Sequence, residues 1–86
     1  MYKIELKKPA RKAYLKLSDE IRKQIDIKLE HLAKAPYESS NDVKKLNGIN
    51  NCYRLRVNDY GIVYRLYNSK LIIEIIKIAH RKEVYR

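Results

Sequence analysis

The sequence predicts an α+β fold in which two N-terminal helices pack on one face of a small antiparallel sheet, in the order β-α-α-β-β-β. Residues 2–7 alternate apolar and charged side chains, residues 9–34 carry apolar side chains at helical spacing, and residues 53–78 hold three strand-like segments separated by turns. Helices followed by a set of strands are typical of α+β proteins. The length of 86 residues predicts a single domain over residues 1–86.

The N-terminal half is predicted to hold one strand and two helices. The strand covers residues 2–7. A short helix begins at Pro9, whose missing N–H costs nothing in a first helical turn, and runs to about Leu17. Ser18 is a good N-cap for the second helix, which ends before Pro36 because the residue before a proline avoids helical angles. The apolar stripe of this helix consists of Ile21, Ile25, Leu29 and Leu32.

The C-terminal half is predicted to form the rest of the sheet. Residues 37–52 are polar and rich in Ser and Asn, so we expect a loop there. Residues 53–66 predict two strands joined at Asn58-Asp59, types that tolerate tight turns. The almost continuously apolar residues 71–78 predict a central strand covered on both faces, and a short charged tail follows.

Two arginines are predicted to lie together on the exposed face of this sheet. Arg54 and Arg56 alternate with the apolar residues of the first hairpin strand. Because successive side chains of a strand point to opposite faces, both guanidinium groups fall on one side. A charged pair would be costly against a hydrophobic core, so this side is predicted to face away from the helices.

The charge distribution limits the classes of partner. The formal net charge is +10, and residues 44–86 hold 10 Lys/Arg against 3 Asp/Glu, whereas residues 1–43 hold 10 against 7. Such a field favours nucleic acid, an anionic membrane surface or an acidic protein. No apolar segment approaches the roughly 20 residues that span a bilayer, and the charged N-terminus lacks the apolar core of a signal peptide. With a single cysteine, we expect a cytoplasmic protein and no membrane partner.

Neither a metal nor a cofactor is expected. His31, His80 and Cys52 are the only imidazole or thiol side chains, and their spacing does not match a zinc site. The chain has only two glycines, Gly48 and Gly61, which excludes a glycine-rich phosphate loop.

The basic side chains of the C-terminal half suggest a phosphate site. Neighbouring strands lie only about 5 Å apart, so cations on several strands can surround one phosphate. Cleavage of RNA by its own 2′-OH requires a base, an acid and cations on the phosphorane, but no metal. His80 has a suitable pKa and Tyr85 a suitable hydroxyl for proton transfer. Composition and spacing leave open the alternative of a solvated basic face with a charged tail. The cations of this set are Arg54, Arg56, Arg65, Arg81 and Lys82.

Three segments, KKLNG, CYRLRVNDYGIVYRL and IIKIAHRKEVYR, resemble in this order the RelE/ParE superfamily of toxins from bacterial and archaeal toxin–antitoxin modules. The similarity is greatest to the RelE branch and covers nearly the whole chain. It implies a cytoplasmic mRNA interferase that cleaves messenger RNA in the ribosomal A site. It also implies three partners: a cognate acidic antitoxin, the ribosome with its mRNA, and operator DNA contacted only through the antitoxin complex.

The resemblance also implies roles for individual residues. Arg54 and Arg56 match basic positions that contact RNA, and Arg81 matches a phosphate-stabilising arginine. Tyr85 matches the C-terminal tyrosine that contributes to catalysis, and His80 stands where many relatives have histidine. The predicted catalytic residues are therefore Arg81, Tyr85, His80 and Arg56, and the predicted RNA-binding residues are Arg54, Arg56, Lys44, Lys45, Arg65 and Lys82.

One position departs from the family pattern. Many RelE-like sequences have arginine after DY, where it binds the scissile phosphate, but here the residue is Gly61. Arg65 has the same parity but lies roughly 13 Å further along the strand. Either another cation (Arg54, Arg56 or Arg81) contacts the phosphate, or cleavage is weakened or absent. Two other functions therefore stay open: a gyrase inhibitor of the ParE type, and a basic RNA-binding module without catalysis.

Overall fold

The computed structural model describes residues 1–37, 42–48 and 50–84. The α+β class is confirmed, with two main helices and with one strand more than predicted. The elements in chain order are β1 (Lys3–Leu6), α1 (Lys8–Leu15), α2 (Asp19–Lys34), β2 (Val43–Lys45), β3 (Cys52–Val57), β4 (Tyr60–Tyr67), β5 (Ile72–His80) and α3 (Arg81–Val84).

The five strands form one sheet in the order β1-β5-β4-β3-β2. Three pairs are antiparallel, but β1 pairs with β5 in parallel, with Ile4 opposite Ile73. The sheet is therefore mostly antiparallel, as predicted, and β1 at its edge is the exception. Parallel strands need a long connection, and here it consists of the helices and the three intervening strands. The side-chain alternation of β1 predicts a strand but not the direction in which it pairs.

The additional strand, β2, lies in the segment that was predicted to be a loop. It has only three residues and no apolar alternation, and it forms because it pairs with β3, where Val43 lies opposite Leu55. Backbone hydrogen bonds extend the pairing, since Arg56 N–H donates to the Asp42 carbonyl at 2.7 Å. Long-range pairing rather than local pattern thus makes this strand.

Two element ends also differ from the prediction. The first helix ends at Leu15, with Lys16 as its C-cap, rather than at about Leu17. At the other end of the chain, β5 continues through Ala79 and His80, which pair with β4, and Arg81–Val84 forms a short helix. The tail is therefore part of the fold over the residues that the structure describes.

The helices pack on the predicted face of the sheet and bury one hydrophobic core. Ala10 of α1 and Ile25 of α2 are fully buried in it, together with the central strands. Tyr64 is also fully buried, and its ring stacks on Tyr53 with centroids 5.5 Å apart. Burial raises the pKa of Tyr64 to about 12. No helix in the described part of the chain is long and apolar enough to cross a membrane.

Candidate nucleic-acid interface

The side of the sheet away from the two main helices, named the open face, carries a row of cations. Residues directly opposite each other on paired strands point to the same side, so the register assigns each residue to a face. Arg54 lies opposite Lys44 on β2 and opposite Val63 on β4, and Val63 lies opposite Lys77 on β5. At about 4.8 Å per strand, this row is about 14 Å across. We name Lys44, Arg54 and Lys77 the cationic row.

Lys77 belongs to this row because β5 contains a bulge. Tyr64 pairs with Ile75, but Val63 pairs with Lys77, so Ile76 is an extra residue. The bulge places Glu74 and Lys77 on the same face, although regular alternation would put residues three apart on opposite faces. Lys77 is not predictable as a site residue, because an apolar segment does not indicate where a bulge falls. The only available sign was a single lysine within a run of isoleucines.

Beside the cationic row lies a part of the sheet with small side chains. Gly61 on β4 is opposite Arg56 on one neighbour and opposite Ala79 on the other, and both Gly61 and Ala79 are buried. Gly61 is not among the residues with positive φ, which lie in turns. Its backbone conformation is therefore compatible with a side chain. β4 contributes no charge at this position. A cation beside Gly61 must therefore come from β3 or from the end of β5.

Arg56 shares a face with Arg54, but its guanidinium group is held at the sheet edge by a carboxylate. Arg56 Nη2 lies 3.4 Å from Asp42 Oδ1, and Asp42 Oδ2 lies 2.8 Å from Lys28 Nζ on α2. The hydrogen bond and charge of Lys28, followed by those of Arg56, hold the pKa of Asp42 below its ordinary value. The Arg56 side chain remains 58% exposed, so it is available to a ligand that can compete with Asp42.

Arg65 lies on the open face, but in a region of mixed charge. It is opposite Cys52 and Glu74, and Glu74 is itself opposite Glu5 on β1. Its Nε donates to the Cys52 Sγ at 3.3 Å, a hydrogen bond that raises the pKa of the guanidinium group. The bulge does not bring Arg65 closer to Gly61, because the extra residue is on β5 and β4 stays regular between them. Glu74 beside Arg65, and Glu5 on the next strand, make this end of the face less favourable for phosphate.

The short helix α3 begins at the end of the sheet that holds Gly61 and Ala79. The backbone N–H of Arg81 donates to the carbonyl of Asp59 in the β3–β4 turn. This contact fixes the start of α3 against the hairpin that carries Arg54 and Arg56. Arg81 and Lys82 are both exposed.

His80 is not brought to the open face. It pairs with Tyr60, whose side chain packs against the core on the helix side, and the two rings meet edge to face with centroids 5.3 Å apart. His80 Nδ1 accepts the backbone N–H of Lys82 at 3.2 Å, which ties the ring to the start of α3.

Two other predicted site residues, Lys45 and Tyr85, are not placed on the open face by the described structure. Lys45 lies opposite Tyr53, so the register places it on the helix side, whereas its neighbour Lys44 lies on the open face. Tyr85 lies outside the described residues. Among the residues that are described, no group of three or more His, Cys, Asp and Glu side chains is placed to hold a metal ion.

Comparison with known proteins gives similarity over the whole chain. Residues 4–85 match the family described as ParE toxin of the type II toxin–antitoxin system parDE. The chain is 31% identical to the mRNA interferase toxin RelE of Escherichia coli K12, over 98% of this chain and 90% of that protein.

The fold is similar to solved structures of the same group. The isolated E. coli RelE toxin superposes with a TM-score of 0.82 at 28% identity, over 99% of this chain and 92% of that one. A chain of the intact E. coli RelBE toxin–antitoxin complex superposes with a TM-score of 0.81 at 26% identity, over 93% and 96%.

Proposed function

The chain belongs to the RelE/ParE superfamily of toxins from type II toxin–antitoxin modules, and from that premise we propose that it is an mRNA interferase, an endoribonuclease that cleaves messenger RNA on the ribosome. The observation that carries the proposal is the cationic row, in which three of four neighbouring strands (β2, β3 and β5) each contribute one charge to the open face, with Val63 of β4 between Arg54 and Lys77. Lysine and arginine in such an array bind successive RNA phosphates. The similarity to an mRNA interferase over 98% of the chain supports the same function.

The proposed reaction is attack of the RNA 2′-oxygen on the adjacent phosphorus. The new P–O2′ bond forms as the P–O5′ bond breaks, which leaves a 2′,3′-cyclic phosphate and a 5′-hydroxyl. A base removes the 2′-OH proton and an acid protonates the leaving 5′-oxygen. We assign charge stabilisation on the phosphorane to Arg54, Arg56 and Arg81, and a proton transfer to Tyr85. His80 is not assigned a role, because it lies on the helix side of the sheet against Tyr60. The reaction needs no metal or cofactor.

Gly61 is expected to slow this reaction. Removal of one cation that stabilises the transition state costs roughly 3 kcal/mol, or at least about a hundredfold in rate. The nearest substitute on the same strand, Arg65, is held by Cys52 and lies beside Glu74. We therefore propose that RNA binding is retained better than cleavage.

The partners follow from the same assignment. We propose that an acidic antitoxin neutralises the chain, since a net charge of +10 favours an acidic partner and a relative has been crystallised as a toxin–antitoxin complex. Operator DNA would then be contacted only through that complex. Because the substrate is mRNA on the ribosome, we propose that the chain acts in the cytoplasm.

Primer extension on mRNA from translating ribosomes tests the proposed activity. We expect cuts in codon register, faster by about a hundredfold for Gly61→Arg. Gly61→Ala is the matched control, since it adds a side chain without charge and should not increase the rate. Arg81→Ala should reduce cleavage more than ribosome affinity. Absence of codon-register cuts with both the parent chain and Gly61→Arg would refute the nuclease function.

A second function, inhibition of DNA gyrase, is favoured by the match to the ParE family over residues 4–85. A supercoiling assay with purified gyrase distinguishes it. Loss of supercoiling without any RNA cleavage would support the gyrase function. Salt-dependent RNA binding with neither activity would instead support a non-catalytic RNA-binding module.

A further inference from the structure

The helix α1 presents a second cationic surface on the other side of the molecule from the open face. Residues 7–16 hold five cations and no acidic residue, and all five cations are exposed. Ala10 of the same helix is fully buried in the core between the helices and the sheet, so the exposed side of α1 faces away from the sheet. We name this surface the α1 patch, and it consists of Lys7, Lys8, Arg11, Lys12 and Lys16.

The cations of the α1 patch form no ion pair with any described residue, in contrast to three of the four Lys/Arg side chains of α2. On α2, Arg22 pairs with Asp19, Lys28 with Asp42 and Lys34 with Glu30. The charge of α2 is thus largely neutralised within the chain. The charge of the α1 patch is left for a partner.

The first cations of the α1 patch, Lys7 and Lys8, oppose the stability of their own helix, whereas Lys12 in the last turn and Lys16 at the C-cap interact favourably with its dipole. The first turn of α1 contains no acidic residue, and its N-cap, Lys7, makes no side-chain hydrogen bond to the helix. Cations near a helix N-terminus interact unfavourably with the helix dipole. A charge pattern that works against the helix start and has no intramolecular partner indicates that these side chains serve an intermolecular contact.

The chemistry of the patch favours a phosphate backbone over a protein. Protein interfaces are built around a buried apolar centre, and Leu15 is the only exposed large apolar side chain on this helix. An apolar groove of about 490 Å³ lies between β1 and α2, with Ile4 and Leu29 in its lining; α1 contributes Tyr14 to it but none of the patch cations. Binding to a nucleic-acid backbone requires only cations, which release condensed counterions from the phosphates. Lys8, Arg11 and Lys12 are neighbours at helical spacing and can contact adjacent phosphates.

We propose that the α1 patch binds the phosphate backbone of folded ribosomal RNA and holds the chain on the ribosome while the open face engages the message. The inference rests on the proposed function, since it assigns a ribosomal contact to a second surface. The two cationic surfaces lie on opposite sides of the sheet, so one short single strand cannot contact both. RNA helices are recognised mainly through backbone contacts, which suits a patch made only of cations.

Sedimentation of the chain with purified ribosomes, over a range of salt concentrations, tests the patch. The variant Lys8→Ala/Arg11→Ala/Lys12→Ala should bind at least tenfold more weakly. The slope of log affinity against log salt should fall by about 2.7, at about 0.9 for each of three lost phosphate contacts. The control Lys23→Ala/Lys34→Ala/Lys70→Ala removes the same charge from other exposed positions and should stay within twofold of the parent. The melting temperature of the α1 variant should stay close to that of the parent, because alanine favours helix and the loss of Lys8 near the helix start offsets the loss of Lys12 in the last turn.

The outcomes separate this inference from the proposed function. Unchanged ribosome affinity of the α1 variant, or an equal loss in the control, would overturn the α1 patch whatever the cleavage assay shows. Retained ribosome affinity with lost binding to the acidic antitoxin would overturn it in favour of a protein contact. If the parent chain binds ribosomes through the α1 patch but cuts no mRNA even as Gly61→Arg, the inference stands and the nuclease function fails.

Discussion

The two main helices pack on the same face of the sheet but treat charge in opposite ways. α2 begins with Ser18, whose Oγ accepts the N–H of Ile21 at 3.3 Å, and it has Asp19 and Glu20 in its first turn. Both features match the helix dipole and the unpaired N–H groups of a helix start. The N-cap of α1 is Lys7, whose side chain makes no hydrogen bond to the helix, and the first turn has no acidic residue. The charges of α2 match its dipole and pair within the chain, whereas those of α1 form no ion pair with any described residue.

The largest effect expected from this comparison is on the core. Ile25→Ala in α2 should lower the free energy of unfolding by about 3 kcal/mol, because the fully buried side chain leaves a cavity. Leu15→Ala in α1 is the matched control, since that side chain is 63% exposed, and it should change stability by less than about 0.5 kcal/mol. Urea unfolding followed by circular dichroism measures both. Similar losses in the two variants would show that the Ile25 and Leu15 side chains contribute equally to the stability of the core.

The cap of α2 should contribute the next largest effect. Ser18→Ala removes the acceptor of the Ile21 N–H and should cost about 1 kcal/mol of unfolding free energy. Ser18→Asp should retain most of the stability, because a carboxylate can accept the same hydrogen bond. The same urea titrations give both values, and equal stability of Ser18→Ala and the parent would show that the cap adds nothing.

The sequence was sufficient for those parts of the fold that local chemistry determines. Ser18 and Pro36 indicated the ends of α2 to within two residues, and the alternation around Arg54 predicted the hairpin of β3 and β4. It was not sufficient for β2 or for the parallel pairing of β1 with β5. Both depend on a partner that is distant in the chain, and no local pattern reports such a partner.

The candidate site was predictable to the same degree. Arg54 and Lys44 lie together on the open face as expected, because period-two alternation determines which side a strand residue faces. The alternation also separates Lys44 from Lys45, although both are predicted to bind RNA from one loop. Lys77 was missed because a bulge changes parity without a sequence signal.

A substitution that gives α1 an N-cap like that of α2 tests the same difference between the two helices. The backbone of Lys7 is extended, as an N-cap requires, but its side chain cannot accept a hydrogen bond. Lys7→Asp should therefore raise the unfolding free energy by about 0.5–1 kcal/mol, through a new cap and a favourable interaction with the dipole. The same change should weaken ribosome binding in sedimentation. Lys7→Ala, which removes charge without adding a cap, should weaken binding with a smaller gain in stability.

The smallest effect is expected from a substitution that leaves a cation of α2 without its ion pair, as the cations of α1 are. Asp42→Asn leaves Lys28 and Arg56 without their carboxylate, at a cost of about 0.5 kcal/mol or less, because the pairs are partly exposed. RNA affinity at low salt should rise a few fold, since a competing carboxylate beside Arg56 is lost. Asp19→Asn is the control, because it makes the same change in net charge at the Arg22 pair, away from the open face. It should not alter RNA affinity.

The pH dependence of Asp42→Asn provides an independent check. Lys28 and Arg56 lower the pKa of Asp42 in the folded chain below its ordinary value of 3.8. A carboxyl group with a lowered folded pKa stabilises the fold fully above its unfolded pKa, and this contribution is lost as the pH falls through the folded pKa. The stability difference between the parent and Asp42→Asn should therefore be constant near neutral pH and disappear as the pH falls below 3.8. A difference that persists in strong acid would show that packing or hydrogen bonding of Asp42, rather than its charge, holds Lys28 and Arg56 in place.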